Sequence, residues 1–247
     1  MAGHSKWHNI QRRKGKQDAV RGQLFTKISR DIYHAAKEGG GNPDTNFRLK
    51  VAVERARQSN LSADSIQRTI AKATGTLEGV TYEEIQYEGY GPQSVAILID
   101  IVTDNRNRTA ADIRHIFKKR GGNLGEAGSV AWMFERVGQI SAPMNAQTDE
   151  ESLMLELIEA GASDVEANDG VLQIQTAPEA FRAVRDTLDA MDIPYEDAEL
   201  TYLPSTTVAL TADAADEVDE LIEALEAHDD VQTVYSNAVF PSGEEEL

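Results

Sequence analysis

The feature that most constrains the fold is an alternation of apolar period along residues 136–203. Short runs at Gln139 to Ala142, Asp164 to Ala167, Val171 to Thr176 and Ala198 to Leu203 read as strands, while Glu151 to Glu159 and Glu179 to Met191 carry helical spacing. Asn168-Asp169-Gly170 joins the two middle strands as a hairpin turn, because these residues accept positive φ. The resulting order, strand, helix, strand, strand, helix, strand, is the ferredoxin-like one.

On either side of this block lie the pieces of a second such unit. Tyr82 to Tyr87 reads as a strand and Glu88-Gly89-Tyr90-Gly91-Pro92 as a turn, followed by Val95 to Val102, apolar enough for a central strand. Thr109 and Asp112 form a capping box for a helix with Ile113, Ile116 and Phe117 as its buried stripe, and Gly121-Gly122 ends it. Val130 to Phe134 is a further expected strand. Thr206 to Leu210, a helix from Ala214 to Glu226 and a strand from Gln232 to Phe240 then supply what 79–135 lacks.

Before residue 79 the pattern is helical. Leu24, Ile28, Ile32 and Ala35 recur at three-to-four spacing up to Gly39-Gly40-Gly41, and Lys27, Arg30, His34 and Lys37 fall on the opposite face. Two more helices fit 45–58, entered through Pro43-Asp44, and 63–74, with Ser62 as N-cap. The fold expected is α+β, a helical N-terminal domain followed by two ferredoxin-like α/β domains, the third inserted in the second. Its divisions are a basic helical domain with a flexible arm at 1–78, a discontinuous domain at 79–135 plus 204–240, an inserted domain at 136–203 and an acidic tail at 241–247.

Charge is distributed as unevenly as structure. The net of −18 over 247 residues divides into fifteen Lys/Arg against six Asp/Glu in residues 1–75, seven against nine in 76–140, and two against twenty-seven in 141–247. Lys6, Arg12, Arg13, Lys14, Lys16 and Arg21 lie close together in a glycine-containing arm with Trp7 among them. Cations of this kind neutralise phosphates and release counterions, and an indole can stack on an unpaired base. The acidic remainder repels bulk nucleic acid, so only contacts that bring the arm close are favoured. With Lys27, Arg30 and Lys37 of the first helix, and Arg106 and Arg108 beside a helix N-terminus, these residues form the expected nucleic-acid-binding set.

Other chemistries lose support. The chain has no cysteine, which removes disulfides, thiol catalysis and Cys-based zinc sites. Phosphate-cradling glycine loops, the nucleophile-elbow pattern and the His-Glu-x-x-His zinc pattern are missing. Ala2-Gly3-His4, with Met1 removed, could hold Cu(II) or Ni(II) in a square plane, but no catalytic residue, metal or cofactor is expected. Nor is a small-molecule substrate or a membrane partner; the expected location is cytoplasmic.

Ala2-Gly3-His4-Ser5-Lys6-Trp7-His8-Asn9-Ile10 with Arg13-Lys14 and Asp18 resembles the opening of the YebC family. The resemblance continues through Phe25-x-Lys27, Ala35-Ala36, Gly39-Gly40, Asn42-Pro43-Asp44, Tyr87 to Pro92, Thr103 to Thr109 and Gly121 to Gly125, across residues 2–135. One departure is Asn60-Leu61-Ser62-Ala63-Asp64, where the family usually reads Asn-Met-Pro and a basic residue. The resemblance implies a three-domain cytoplasmic, non-enzymatic regulator of gene expression. Family members are described as DNA-binding transcriptional regulators; others resemble translation factors, including an activator of mitochondrial cytochrome oxidase synthesis and bacterial members linked to ribosomes stalled at proline runs. The implied partner is therefore DNA, or RNA within the ribosome.

Overall fold

The structure is a computed structural model that describes residues 21–77, 79, 81–144, 150–168, 170–195 and 197–241. It divides into two compact units: the described residues up to Trp132 together with those from Thr206, and Met133–Ser205 between them.

The first unit begins with three helices, α1 (Arg21–Gly39), α2 (Phe47–Gln58) and α3 (Ala63–Ala73). Their shared core is aliphatic: Ile28, Ile32, Ala35 and Ala36 of α1 meet Leu49, Ala52, Val53 and Ala56 of α2 and Ile66 and Ile70 of α3. Burying each of the larger side chains is worth ~1.5–3 kcal/mol, enough to hold short helices whose intrinsic propensity is marginal. Ser62 caps α3 as expected, accepting from Ser65 N. The cap of α2 is Asn46, whose side chain also donates to the Ala35 and Gly40 carbonyls at 2.6 and 2.8 Å, fastening the end of α1 to the start of α2.

A four-stranded antiparallel sheet follows, in the spatial order β3 (Asn123–Leu124), β1 (Glu83–Tyr90), β2 (Ala96–Thr103) and β9 (Val231–Ser236). Helices α4 (Arg106–Lys119) and α7 (Ala212–Glu226) cover one face, their Ile113, Phe117, Val218, Leu221 and Leu225 packed on Ile97, Ile99 and Ile101. The other face of β2 is buried too, at Ala96, Leu98 and Val102, which is why the strand reads as an apolar run interrupted only by the half-buried Asp100. The layers are ferredoxin-like, but the order of strands along the chain differs from that of the inserted unit.

Four local expectations are corrected. Glu88-Gly89-Tyr90 is not a turn but the end of β1, where the Glu88 carboxylate accepts backbone N–H groups from Gly128, Val130 and Ala131 at 2.6–2.7 Å. Burial works to raise its pKa; the three donors prevail and hold it below the usual carboxylate range. Val130 to Phe134 is likewise not a strand of this sheet, because this anchoring bends the chain into a 3-10 turn at Ala131–Met133. The third strand is instead Asn123–Leu124, beside Gly89, where a Cβ would lie 2.7 Å from the Asn123 carbonyl oxygen. The stretch from Thr206 to Leu210 contributes only β8 (Val208–Ala209), which pairs in parallel with β10 (Ala238–Val239) in a separate ribbon. Finally, the cap of α4 is Asn105, accepting from Arg108 N, which places Thr109 inside the helix with its hydroxyl buried.

The second unit runs β4 (Phe134–Pro143), α5 (Glu150–Glu159), β5 (Ala162–Asn168), β6 (Val171–Thr176), α6 (Phe181–Ala190) and β7 (Asp197–Pro204). Its sheet order, β5-β6-β4-β7 with every pair antiparallel, is the ferredoxin-like arrangement. Leu153, Leu157, Phe181, Val184 and Leu188 from the helices are buried along with Ile140, Ala142, Leu172 and Ile174 of the strands. At the β5–β6 turn Gly170 takes φ +78°, the conformation for which glycine is suited; Asp169 of the expected turn is outside the described residues.

Candidate nucleic-acid interface

Asp230, just before β9, is the polar centre of the first unit and is almost wholly buried. Its Oδ1 accepts from Arg30 Nη2 at 2.9 Å, while Oδ2 accepts from Thr109 Oγ1 at 2.6 Å, Arg108 Nη2 at 2.8 Å and Thr103 Oγ1 at 3.1 Å. One carboxylate thereby ties together α1, the end of β2 and the first turns of α4. Burial alone would raise its pKa, but the hydrogen bonds from Thr109 and Arg108 and the charge of Arg30 hold it below the ordinary Asp range. The cluster Thr103 to Thr109, legible in the sequence as a polar loop, is the wall of this junction.

The junction determines the fate of the cations expected on α1. Arg30 also donates to the Asp229 carbonyl and lies 5.4 Å from the Tyr82 ring centroid, so its side chain is only 11% exposed. Lys27 donates to the Glu226 carbonyl at 3.0 Å, and His34 sits 3.3 Å from Glu84 on β1, buried. Burial pushes the His34 imidazole down in pKa, with the Glu84 charge acting in the opposite direction. The polar face of α1 is therefore a second packing interface, against the sheet and the loop after α7. Periodicity distinguishes an apolar stripe from a polar one, but not whether water or protein covers the polar side.

The remaining expected residues divide into three groups. Lys37 is exposed and reaches toward the Tyr82 carbonyl at 3.4 Å. Arg106 is exposed, and Arg108, about half exposed, is shared between Asp104 and Asp230. Lys6, Trp7, Arg12, Arg13, Lys14 and Lys16, the side chain of Arg21, and the Ala2-Gly3-His4 segment lie outside the described residues. Among the described residues, no group of three or more His, Asp or Glu side chains is arranged to hold a metal ion, and no helix is long and apolar enough to cross a membrane.

The structure adds a basic ridge that the charge count had concealed. Helix α4 turns Ile113 and Phe117 inward and leaves Arg106, Arg114, Lys118 and Lys119 exposed. Arg114 and Lys118 stand one turn apart on a ridge with Asn107 and Ala111. Helical spacing puts that ridge on the flank away from α7, because Asp112 and Arg120 face α7 and the loop after it through contacts with His228 and Glu220. The signal was present as i, i+4 cations, but residues 76–140 carry a slight negative excess that hid it.

Residues 5–76 match the TACO1/YebC protein N-terminal domain and residues 82–238 the TACO1/YebC second and third domain. A "Probable transcriptional regulatory protein" of Clostridium tetani is 50% identical over 241 residues, covering 98% of each chain. A protein of the same description from Moorella thermoacetica is 52% identical over 244 residues, covering 98% of this chain and 97% of its own. The crystal structure of a conserved hypothetical protein from Aquifex aeolicus superposes with a TM-score of 0.80 at 42% identity, covering 93% of this chain and 95% of that one. From the opening motif to the second ferredoxin-like unit, the chain belongs to the TACO1/YebC family.

Proposed function

We propose that this protein is a non-enzymatic, cytoplasmic regulator of gene expression that binds nucleic acid through its basic N-terminal arm and the outer ridge of α4, with duplex DNA as the target. The observation that carries the reading is the segregation of charge, along the sequence for the arm and at the surface for the described residues. Cations gather in the arm and on Arg106, Arg114 and Lys118, while the neighbouring α7 and the whole inserted unit are strongly acidic. A polyanion is thereby admitted at the cationic surfaces and rejected at the acidic ones. The name carried by the relatives, "Probable transcriptional regulatory protein", supports a role in transcription.

A second reading, RNA within the ribosome, is favoured by one specific observation. Helix α1 is covered on both faces, so it cannot enter a major groove as a recognition helix; contacts limited to phosphates and to an aromatic in the arm suit structured or single-stranded RNA as well. Sedimenting cell lysate on a gradient after DNase or RNase treatment separates the two readings. Co-migration with ribosomes that survives DNase would remove the DNA target. The interface itself is tested by changing Arg12, Arg13, Lys14 and Lys16 to Ala. The slope of log K against log salt should become shallower by about 3–4, at ~0.9 for each duplex phosphate that the variant no longer neutralises. Equal binding by wild type and variant would end the proposal for the arm.

A further inference from the structure

Helix α5 of the inserted unit follows the amphipathic rule on its inner side and departs from it on the outer side. Leu153 and Leu157 fill the core at 2% and 0% exposure, yet Leu155 and Ile158 are 59% and 55% exposed. The two outer side chains are one turn apart, with Glu151 a turn before them and Glu156 and Glu159 alongside, all exposed. Isolated surface aliphatics need no explanation, but a pair on one helical ridge framed by like charges is the pattern of a helix-docking face.

The charge around the pair selects what can cover it. Residues 133–205 hold sixteen Asp/Glu against three Lys/Arg. Nucleic acid and anionic membrane are repelled by such a surface, and a second copy of the chain would bring the same carboxylates to the contact. A cationic helix with apolar residues at three-to-four spacing satisfies both features, setting its apolar stripe on Leu155 and Ile158 and its Lys or Arg residues against the three glutamates. We propose that the outer face of α5 docks a cationic amphipathic segment of a partner protein, which gives the acidic unit a role separate from nucleic-acid binding.

The test uses the full chain and two labelled synthetic peptides of lysine and leucine: one with helical periodicity, the other scrambled at the same composition. By fluorescence anisotropy the periodic peptide should bind at least about tenfold more tightly than the scrambled one, since charge alone does not reward register. A Leu155→Ser, Ile158→Ser variant should lose about tenfold in affinity with its melting temperature preserved, because both side chains are already solvent-facing. A Glu151→Gln, Glu156→Gln, Glu159→Gln variant should weaken binding and flatten its salt dependence. Equal binding of the two peptides, or wild-type affinity in the serine variant, overturns the proposal. So does sedimentation showing a wild-type dimer that the serine variant turns into a monomer, which would assign the face to a second copy.

Discussion

Helices α4 and α7 lie side by side on the same face of the same sheet and present opposite chemistry to water. Inward they are alike: Ile113 and Phe117 from one and Val218, Leu221 and Leu225 from the other are fully buried in a single core. Outward, α4 exposes Arg106, Arg114, Lys118 and Lys119, whereas α7 exposes Asp213, Asp216, Glu217, Glu220 and Glu223 and contains no cation at all. Packing depends on the inner stripe, worth several kcal/mol per helix, while an exposed charge contributes little to stability. The outer residues are thus free to be chosen for interactions, and two neighbouring helices can be given contrary ones. Their seam is joined by the Arg120–Glu220 ion pair and by a contact of His228 with Asp112 at 3.4 Å.

If the inner stripes are equivalent, truncating either should be costly. Phe117→Ala should lower the unfolding free energy by ~3–5 kcal/mol and Leu221→Ala by ~2–5 kcal/mol, measured by urea denaturation. A loss under ~1 kcal/mol at one of them would break the equivalence. Comparable in size is Asp230→Ala, expected to cost ~3–5 kcal/mol because the largely buried Arg30 is left without its carboxylate. The outer faces should behave in the reverse manner. Arg114→Glu with Lys118→Glu should leave stability within ~0.5 kcal/mol and reduce the salt slope of nucleic-acid binding by about 2. Glu217→Lys with Glu223→Lys should strengthen binding; unchanged affinity in both double variants would remove α4 from the interface. The smallest effect belongs to the seam, where a double-mutant cycle on Arg120 and Glu220 should give ~0.2–1 kcal/mol, fading with salt.

Acid sharpens the contrast between the junction at Asp230 and the far end of the α1 interface. Asp230 and Glu88 have folded pKa values below their unfolded ones, so their stabilisation is complete above ~pH 4–5 and is lost as pH falls through the folded values. His34, held low by burial, favours the neutral form in the folded state, so stability starts to decline below its unfolded pKa of ~6.5. Asp31, pushed up to about 6 by desolvation, works the other way: the folded state takes its proton first, and stability rises as pH falls through 6. In His34→Gln the balance between pH 6.5 and 4.5 should therefore tip toward greater stability on acidification, as read from denaturation midpoints at successive pH values. A midpoint that still falls with acid across that window would refute the assignment.

How much of this was legible depends on the reach of the interaction concerned. The inserted ferredoxin-like unit could be read from residues 136–203 because strand and helix periods are local and its hairpin turn is short. The central strand β2 was legible for the same reason, its apolar run reflecting cover on both faces. The misread pieces were those set by partners far away in the chain. Glu88 looked like part of a turn until three amides some forty residues on were seen to hold it in a strand. Thr109 looked like a cap until Asp230, 121 residues later, claimed its hydroxyl.

The sequence by itself determined the class of fold, the helical opening, the insertion and the separation of charge, since these follow from side-chain period and composition. Only the tertiary structure decided that α1 is polar because it is sandwiched and not because it is wet, that Arg30 and Arg108 serve a buried carboxylate, and that Arg114 and Lys118 form a ridge turned away from the acidic helix. The physical reason is one and the same: a charged side chain has the same spelling whether it faces water, a phosphate or another domain, and burial by distant residues is what distinguishes them.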